Sequence, residues 1–378
     1  MPHALFDRDG RRVSDEAVRD FAAGARGAVL APGDAGYDEA RHVFNAMVDR
    51  RPGLIVQPAG TAGVQQAVRF ARQHNVLVSI KGGGHSAPGH AVCNDGMLID
   101  LSRMKGITVD PGARVAVAEG GATWGAFDEA TQQHGLAVTG GRIRGTGVGG
   151  LTLGSGSGWL ERKLGFTVDN LLGAEVVLAT GEVVRASADD HADLFWALRG
   201  GGGNYGIVTR FEYRLHPVGP TVWGGMMVFP RQGGSDVAVL RAYRDFMDQA
   251  PDEVGGAAAL ITIPPLPGIP EEAVGATAVA IIAFYAGSPE EGEKAFEPML
   301  RLQPAVSLVQ PMPYVAVQSL LEEANPPGKR NYWKADSYST LPDEAIIALL
   351  EATIRPRSPM TTVLVQPMGG ALARVPDD

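Results

Sequence analysis

Lys81-Gly-Gly-Gly-His85-Ser86 follows directly on a short apolar run, residues 77–80, that reads as a strand. Two more glycine-dense stretches lie downstream. Nine of the 19 residues in 140–158 are glycine, and residues 200–203 are an unbroken run of four. The chain holds 50 glycines in 378 residues, about twice ordinary usage. The runs sit between well-patterned apolar segments, so they are not linkers. Glycine concentrated in this way brings bare main chain close to something.

Around these runs the pattern alternates between strand and helix. Residues 14–49 read as short helices and turns. A strand at 54–56, closed by Pro58, precedes a helix over 61–74, in which Val64, Val68 and Ala71 recur at helical spacing. After the 77–80 strand come another at 97–101 and a hairpin, 107–110 with 114–118, across Pro111-Gly112. A helix over 123–134 leads into the long glycine stretch. Beyond it lie strands 174–179 and 183–186, joined at Thr180-Gly181. A helix over 192–199 and a strand over 207–215 complete this part.

From Gly219 the texture changes. Strand-like runs (226–229, 257–263, 276–284) alternate with helical ones (236–249, 289–300, 343–354), and 264–270 is a proline-rich loop. This predicts one antiparallel sheet with helices on one face, an α+β layer. The expected organisation is an N-terminal segment (1–47) packing on a first domain (48–218), followed by a second domain (219–378).

Composition removes several functions. With 33 Lys and Arg against 42 Asp and Glu, the net charge is −9. Such a chain gains nothing from phosphate neutralisation, so nucleic acid is not an expected partner. Cys93 is the single cysteine, which rules out an intrachain disulfide and fits a reducing compartment. The start, MPHALFDRDGRR, carries acids and no apolar core, unlike a signal peptide. No stretch approaches the ~18 apolar residues of a membrane span. A soluble, cytoplasmic protein is the expectation. The eight histidines are scattered without ligand spacing, so no metal is expected.

Gly145-Thr-Gly-Val-Gly-Gly150 matches G-x-G-x-x-G, and Asp169 stands about 20 residues on, as in a dinucleotide-binding βαβ unit. That unit needs a long helix next. Instead come Gly154, Gly156 and Gly158, which oppose one. Two readings remain: a loop packed for structural reasons, or a cofactor cradle of another kind. In a cradle, successive main-chain N–H groups would form an anion-binding concavity suited to a pyrophosphate. His85 alone reads as a hydrogen-bonding residue in a turn.

Eight segments occur in a fixed order over residues 50–217. They are Arg51-Pro-Gly-Leu-Ile-Val-Gln-Pro58, Lys81-Gly-Gly-Gly-His-Ser86, Leu98-Ile-Asp-Leu-Ser102, Val117-Ala-Glu-Gly-Gly121, Gly147-Val-Gly-Gly150, Val168-Asp-Asn-Leu171, Ala197-Leu-Arg-Gly200 and Gly203-Asn-Tyr-Gly-Ile-Val-Thr209. In order and spacing they resemble the berberine bridge enzyme-like group of FAD-linked oxidases, within the PCMH-type (vanillyl-alcohol oxidase) flavoproteins. The resemblance implies a two-subdomain FAD-binding fold plus an antiparallel-sheet substrate domain.

It also implies residue roles. Ser79, Ile80, Lys81, Gly82, Gly83, Gly84, His85 and Ser86 would wrap the FAD pyrophosphate, with His85 bonded to the flavin 8α-methyl carbon. Leu101, Ser102, Gly140, Gly141, Thr146, Gly147, Gly149 and Gly150 match further FAD-lining positions. Gly206, Ile207 and Val208 match a strand whose main chain reaches the flavin. Ile143 stands where some members carry a cysteine that makes a second link, and Cys93 lies elsewhere, so a single tether is expected. Thr146 matches a position that gates oxygen, and its small side chain leans towards an oxidase.

The implied chemistry is hydride transfer from a small organic substrate (an alcohol, a sugar or a secondary metabolite) to flavin N5. Reoxidation by molecular oxygen then yields hydrogen peroxide. Asn331-Tyr-Trp-Lys-Ala-Asp336 resembles a family strand facing the substrate pocket. Strand alternation would place Tyr332 and Lys334 on one side as proton acceptors and Trp333 on the other. A solvated strand with a buried aromatic is the alternative. Gln366 would lie on a neighbouring strand. Trp159 would line the pocket or belong to the core, and Asp169 and Asn170 would fix loop geometry. Family members usually continue beyond the point matching Gly369-Gly-Ala-Leu-Ala-Arg-Val375, so a chain ending at Asp378 is expected to lack their C-terminal tail. A dehydrogenase using another acceptor, or a truncated, non-catalytic flavin-binding protein, are the alternatives.

Overall fold

In a computed structural model of the chain, the described residues are 5–231, 234–265 and 269–376. The start of the N-terminal stretch, the middle of the proline-rich loop and the last two residues lie outside them. The chain divides into two compact units. One comprises Met1–Gly158, Phe166–His216 and Leu321–Trp333; the other comprises Trp159–Gly165, Pro217–Leu320 and Lys334–Asp378.

Two larger sheets build the first unit, beside a short pairing of Leu136–Ala137 with His216–Pro217. The smaller of the two runs, in space, Gly27–Leu30, Leu54–Pro58, Met97–Asp100, Val78–Lys81. The last three strands are parallel, with Val56 opposite Ile99 and Lys81 opposite Asp100. Parallel strands are covered on both faces and read as apolar runs, and Met97–Asp100 is buried at every position. Helix Thr61–Gln73 buries Val64, Ala67, Val68 and Ala71 in the same core as Leu54, Val56, Met97 and Ile99. The strand Gly27–Leu30 was not expected from the sequence. It is only four residues long and half-exposed, so it has no alternation to betray it. It passes so close to its neighbour that a Cβ on Gly27 would stand 2.2 Å from the Gln57 carbonyl oxygen.

The larger sheet is antiparallel, in the order Ile107–Asp110, Val115–Glu119, Ile207–Arg214, Leu171–Val177, Val183–Ser187. Its core includes Trp124, Phe127, Phe211 and Tyr213. Thr61 Oγ1 on the helix donates to the Glu175 carboxylate at 2.6 Å, and Gln65 Nε2 to the Gly181 carbonyl at 2.8 Å, which fixes the two sheets to each other. Within the glycine-rich stretch, Val148–Leu153 forms a six-residue helix that stops at Gly154.

The second unit is one antiparallel sheet in the order Val306–Ser307, Thr221–Pro230, Thr277–Tyr285, Val254–Thr262, Val363–Val365. Helices Ser235–Gln249 and Asp343–Ala352 pack against it through Leu240, Tyr243, Met247, Ile346 and Leu350. The helical run expected over 289–300 is two helices, Pro289–Ala295 and Glu297–Leu300, with Pro298 in the first turn of the second. Trp159–Gly165 is stitched into this unit by Arg162, whose guanidinium donates to the carbonyls of Met368 (2.9 Å) and Ala250 (3.0 Å). Among the described residues no helix is long and apolar enough to cross a membrane.

Candidate functional site

The parallel strands deliver their carboxyl ends to one edge, and a buried carboxylate ties those ends together. Asp100 is 1% exposed. It lies 3.4 Å from Lys81 Nζ and accepts from Gln57 Nε2 at 2.8 Å, Ser102 Oγ at 3.0 Å and the Ser102 N–H at 3.2 Å. The Lys81 ammonium also donates to the Ala40 carbonyl. A buried charge is tolerated only when paired and hydrogen-bonded, and both conditions are met here. The Lys81 side chain is therefore turned inward, and only its main chain is left for the cofactor wrap. Asp100 and Gln57 carry the knot and were not singled out in the sequence.

From this edge the Gly82–His85 loop runs into the long glycine stretch. A Cβ on Gly83 would stand 2.2 Å from the Gly147 nitrogen and 2.6 Å from its Cα, so the two chains cross main chain to main chain. The Gly120 carbonyl oxygen sits at the centre of the crossing. Added Cβ atoms on Gly82 and Gly149 would lie 3.1 and 3.2 Å from it. The Gly120 N–H donates to Thr209 at 2.9 Å and the Gly121 N–H to Met104 at 2.8 Å, bringing in the segments of Val208 and Leu101–Ser102. Gly206, at φ +146°, launches the Ile207–Arg214 strand beside Val176 and Val177. Gly140 passes against the Trp124 indole, and Gly141 lies beside Thr146 and Leu151. The Gly202 N–H donates to the Leu153 carbonyl at 2.8 Å, so the third glycine run joins the other two. Many of these glycines thus admit another stretch of the chain. Gly150, by contrast, would have no atom within 4 Å of a Cβ.

His85 stands beside the crossing, half-buried. Its ring stacks on Phe44 with centroids 4.3 Å apart and planes at 22°. Thr146 Oγ1 is 3.3 Å from Nδ1. A Cβ on Gly145 would sit 3.3 Å from Nε2, so that nitrogen opens onto bare main chain. Burial pushes the imidazole pKa below its ordinary value, with Glu322 opposing weakly. The ring is neutral at pH 7, which leaves one nitrogen with a free lone pair. Ser79 is buried and bonds Cys93 at 3.3 Å, Ile80 continues the strand, and Ser86 Oγ accepts from the His90 N–H at 3.1 Å to close the following turn. Asp169 accepts from the Phe166 N–H at 2.7 Å and Asn170 donates to the Phe166 carbonyl at 3.0 Å; both bind their own loop.

Residues 331–336 do not form the expected strand. The N–H and C=O of Asn331 are both taken by the Asn45 side-chain amide, at 2.9 Å each, in place of a ladder partner. Tyr332 is 75% exposed and Trp333 53%, and Lys334 falls in the other unit. A cavity of about 520 Å³ opens here, lined by Met47, Arg50, Pro88, Asn331, Tyr332 and Trp333 among others. Gln366 lies one residue past the strand Val363–Val365, and its amide donates to the buried Glu161 carboxylate.

A main-chain cradle beside a neutral histidine, at the junction of a small parallel-stranded sheet and an antiparallel one, suits a flat nucleotide cofactor. Glycine at 145 keeps the imidazole nitrogen uncovered and Gly150 faces open space, so the residues fit FAD. The fold is that of the PCMH-type FAD-binding proteins. Comparison with known proteins agrees. A family model described as an FAD binding domain matches residues 52–187. An FAD-linked oxidoreductase of Dictyostelium discoideum is 30% identical over 364 residues, covering 96% of this chain and 77% of the relative. The (R)-6-hydroxynicotine oxidase of Paenarthrobacter nicotinovorans is 31% identical over 229 residues, 61% of this chain and 50% of the relative. A structure of xylooligosaccharide oxidase from Myceliophthora thermophila C1 with xylobiose superposes with a TM-score of 0.79 at 25% identity, covering 95% of this chain and 78% of that one. The chain belongs to the FAD-linked oxidoreductases. Its matches to other curated relatives span about half of their length or less, from 39% to 50%.

Proposed function

We propose that this chain is an FAD-dependent oxidase of a small organic substrate, with its cofactor tethered through His85. The observation that carries this is the crossing of the Gly82–Gly84 loop with the 140–158 stretch beside a half-buried imidazole. When bound, FAD would accept a hydride from the substrate and pass the electrons to molecular oxygen. Gly82–His85 and Thr146–Gly150 would hold it with main-chain donors, and Leu101, Ser102 and Val208 would close the cradle. A ring nitrogen of His85 would carry the bond to the methyl carbon at flavin position 8, imidazole and methyl each giving up one hydrogen and oxygen taking the two electrons as hydrogen peroxide. Relatives that act on a hydroxynicotine and on xylooligosaccharides support a small polar substrate. Tyr332, on the cavity wall, is the side chain assigned to take its proton.

Acid precipitation of the purified protein tests the tether. Yellow colour should stay with the pellet, and His85→Ala should release it. A colourless preparation that takes up no FAD would sink the reading altogether. Oxygen uptake during turnover separates an oxidase from a dehydrogenase.

A further inference from the structure

The neighbours of His85 outside the glycine runs come from a dipeptide to which the sequence assigned no role. The Phe44 N–H donates to the carbonyl of Gly84, the residue before His85, at 3.0 Å. Asn45 Nδ2 donates to the carbonyl of Ala87, two residues after it, at 3.0 Å. Asn45 is 3% exposed, and its amide is fully used: Nδ2 also donates to the Asn331 carbonyl at 2.9 Å, while Oδ1 accepts from the N–H groups of Asn331 (2.9 Å) and Met47 (3.1 Å). Two donors and two lone pairs exhaust such a group. The side chain therefore has a single orientation, and the turn it holds has one as well. The Gly328 N–H donates to the Phe44 carbonyl at 3.1 Å, fixing the dipeptide from its other side.

We propose that Phe44-Asn45 is the positioning element for His85, holding both main-chain flanks of the residue and the plane of its ring for attachment to the cofactor. The proposal rests on the tether reading above. An imidazole lone pair lies in the ring plane, so the plane sets the direction along which nitrogen can form a bond. Stacking on Phe44 fixes that plane. Thr146, at Nδ1, fixes rotation within it. A reacting group works when its supports lock its rotamer, and here they come from 40 residues upstream.

The test uses protein made under riboflavin limitation, to which FAD is added. Total flavin is read from absorbance and attached flavin from the acid pellet. Phe44→Leu, which keeps the bulk but loses the flat face, should bind as much FAD as the parent and attach it at least tenfold more slowly. Phe44→Tyr should restore the rate, and Asn45→Asp, which loses both donors, should slow it as well. Equal rates for Phe44→Leu and the parent, or no rescue by Phe44→Tyr, would overturn the proposal. Should Phe44→Leu fail to fold, Phe44→Met makes the same comparison. If acid strips the parent of flavin, the tether reading fails, and positioning is decided by NMR instead. The His85 ring protons should be shifted upfield by the Phe44 ring current, move downfield in Phe44→Leu and return in Phe44→Tyr. Unmoved resonances would refute the proposal independently.

Discussion

In the first unit, Gly83 meets Gly147 with no room for a methyl group, and Asp100 sits among four donors at the end of a parallel sheet. In the second, strands Val254–Thr262 and Thr277–Tyr285 pair over nine residues, with Ala258 opposite Ile281 and Ala259 opposite Ala280. There the alanines set how thickly the sheet packs, although the first of these strands also holds Gly256, whose added Cβ would stand 2.0 Å from the Ile282 carbonyl oxygen. Ionic contacts of both kinds, buried and exposed, occur in the second unit: Arg231 and Asp236 pair at 2.9 Å with both side chains largely buried. Asp343 bonds Arg241 and Arg244 at 2.9 Å each, but at the surface. The first region prescribes residue identity where two loops cross main chain to main chain; the second does so at Gly225, Gly255 and Gly256 and along the rest of its paired strands prescribes apolar character.

Substitutions can break or sharpen this contrast. The largest effect is expected from Asp100→Asn, which strands the Lys81 ammonium in the interior; breaking a buried pair costs about 3–5 kcal/mol. Asp343→Asn should leave the denaturation midpoint nearly unchanged, because exposed pairs contribute little. Urea titration of both variants checks the pair, and equal losses would abolish the distinction. Gly83→Ala comes next, at roughly 3 kcal/mol, since the crossing strands must part to admit the methyl. Ala258→Gly, in the second unit, should cost only about 1 kcal/mol.

His85 gives a pH-dependent effect. Its folded-state pKa lies below the unfolded value, through burial, so the unfolded chain binds more protons as pH falls. The stability due to the neutral ring is complete above the unfolded pKa of ~6.5 and is lost as pH falls through the folded value. In flavin-free protein, His85→Asn should therefore flatten the stability curve on the acid side. The smallest shift belongs to Gly150→Ala, inside the helix Val148–Leu153 and clear of other atoms. A gain of up to about 1 kcal/mol in stability is expected, together with lower flavin content. Unchanged flavin content would remove that face from the cradle.

The same contrast explains what the sequence revealed. The strands at 54–58, 78–81 and 97–100 were legible as short apolar runs between turns, and the helix between the first two because burial of one face imposes a period. The cradle was legible because only glycine permits the crossings. Asp100, Gln57, Phe44 and Asn45 were not, since their importance lies in contacts that no local pattern records. Residues 331–336 misled for a physical reason. Tyr, Trp and Lys satisfy a period of two, yet a side-chain amide had taken the bonds of Asn331 that a neighbouring strand would need.

Because Asn45 is held by Asn331, 286 residues later, the amino-terminal half cannot finish on the ribosome when its own sequence is complete. At translation rates of ~5–20 residues per second, roughly 15–60 s pass between the emergence of one asparagine and the other. Through that interval the histidine turn lacks one of its braces. Cofactor loading would then be a late event in the life of the polypeptide, and a chain stalled before residue 331 should accumulate without colour.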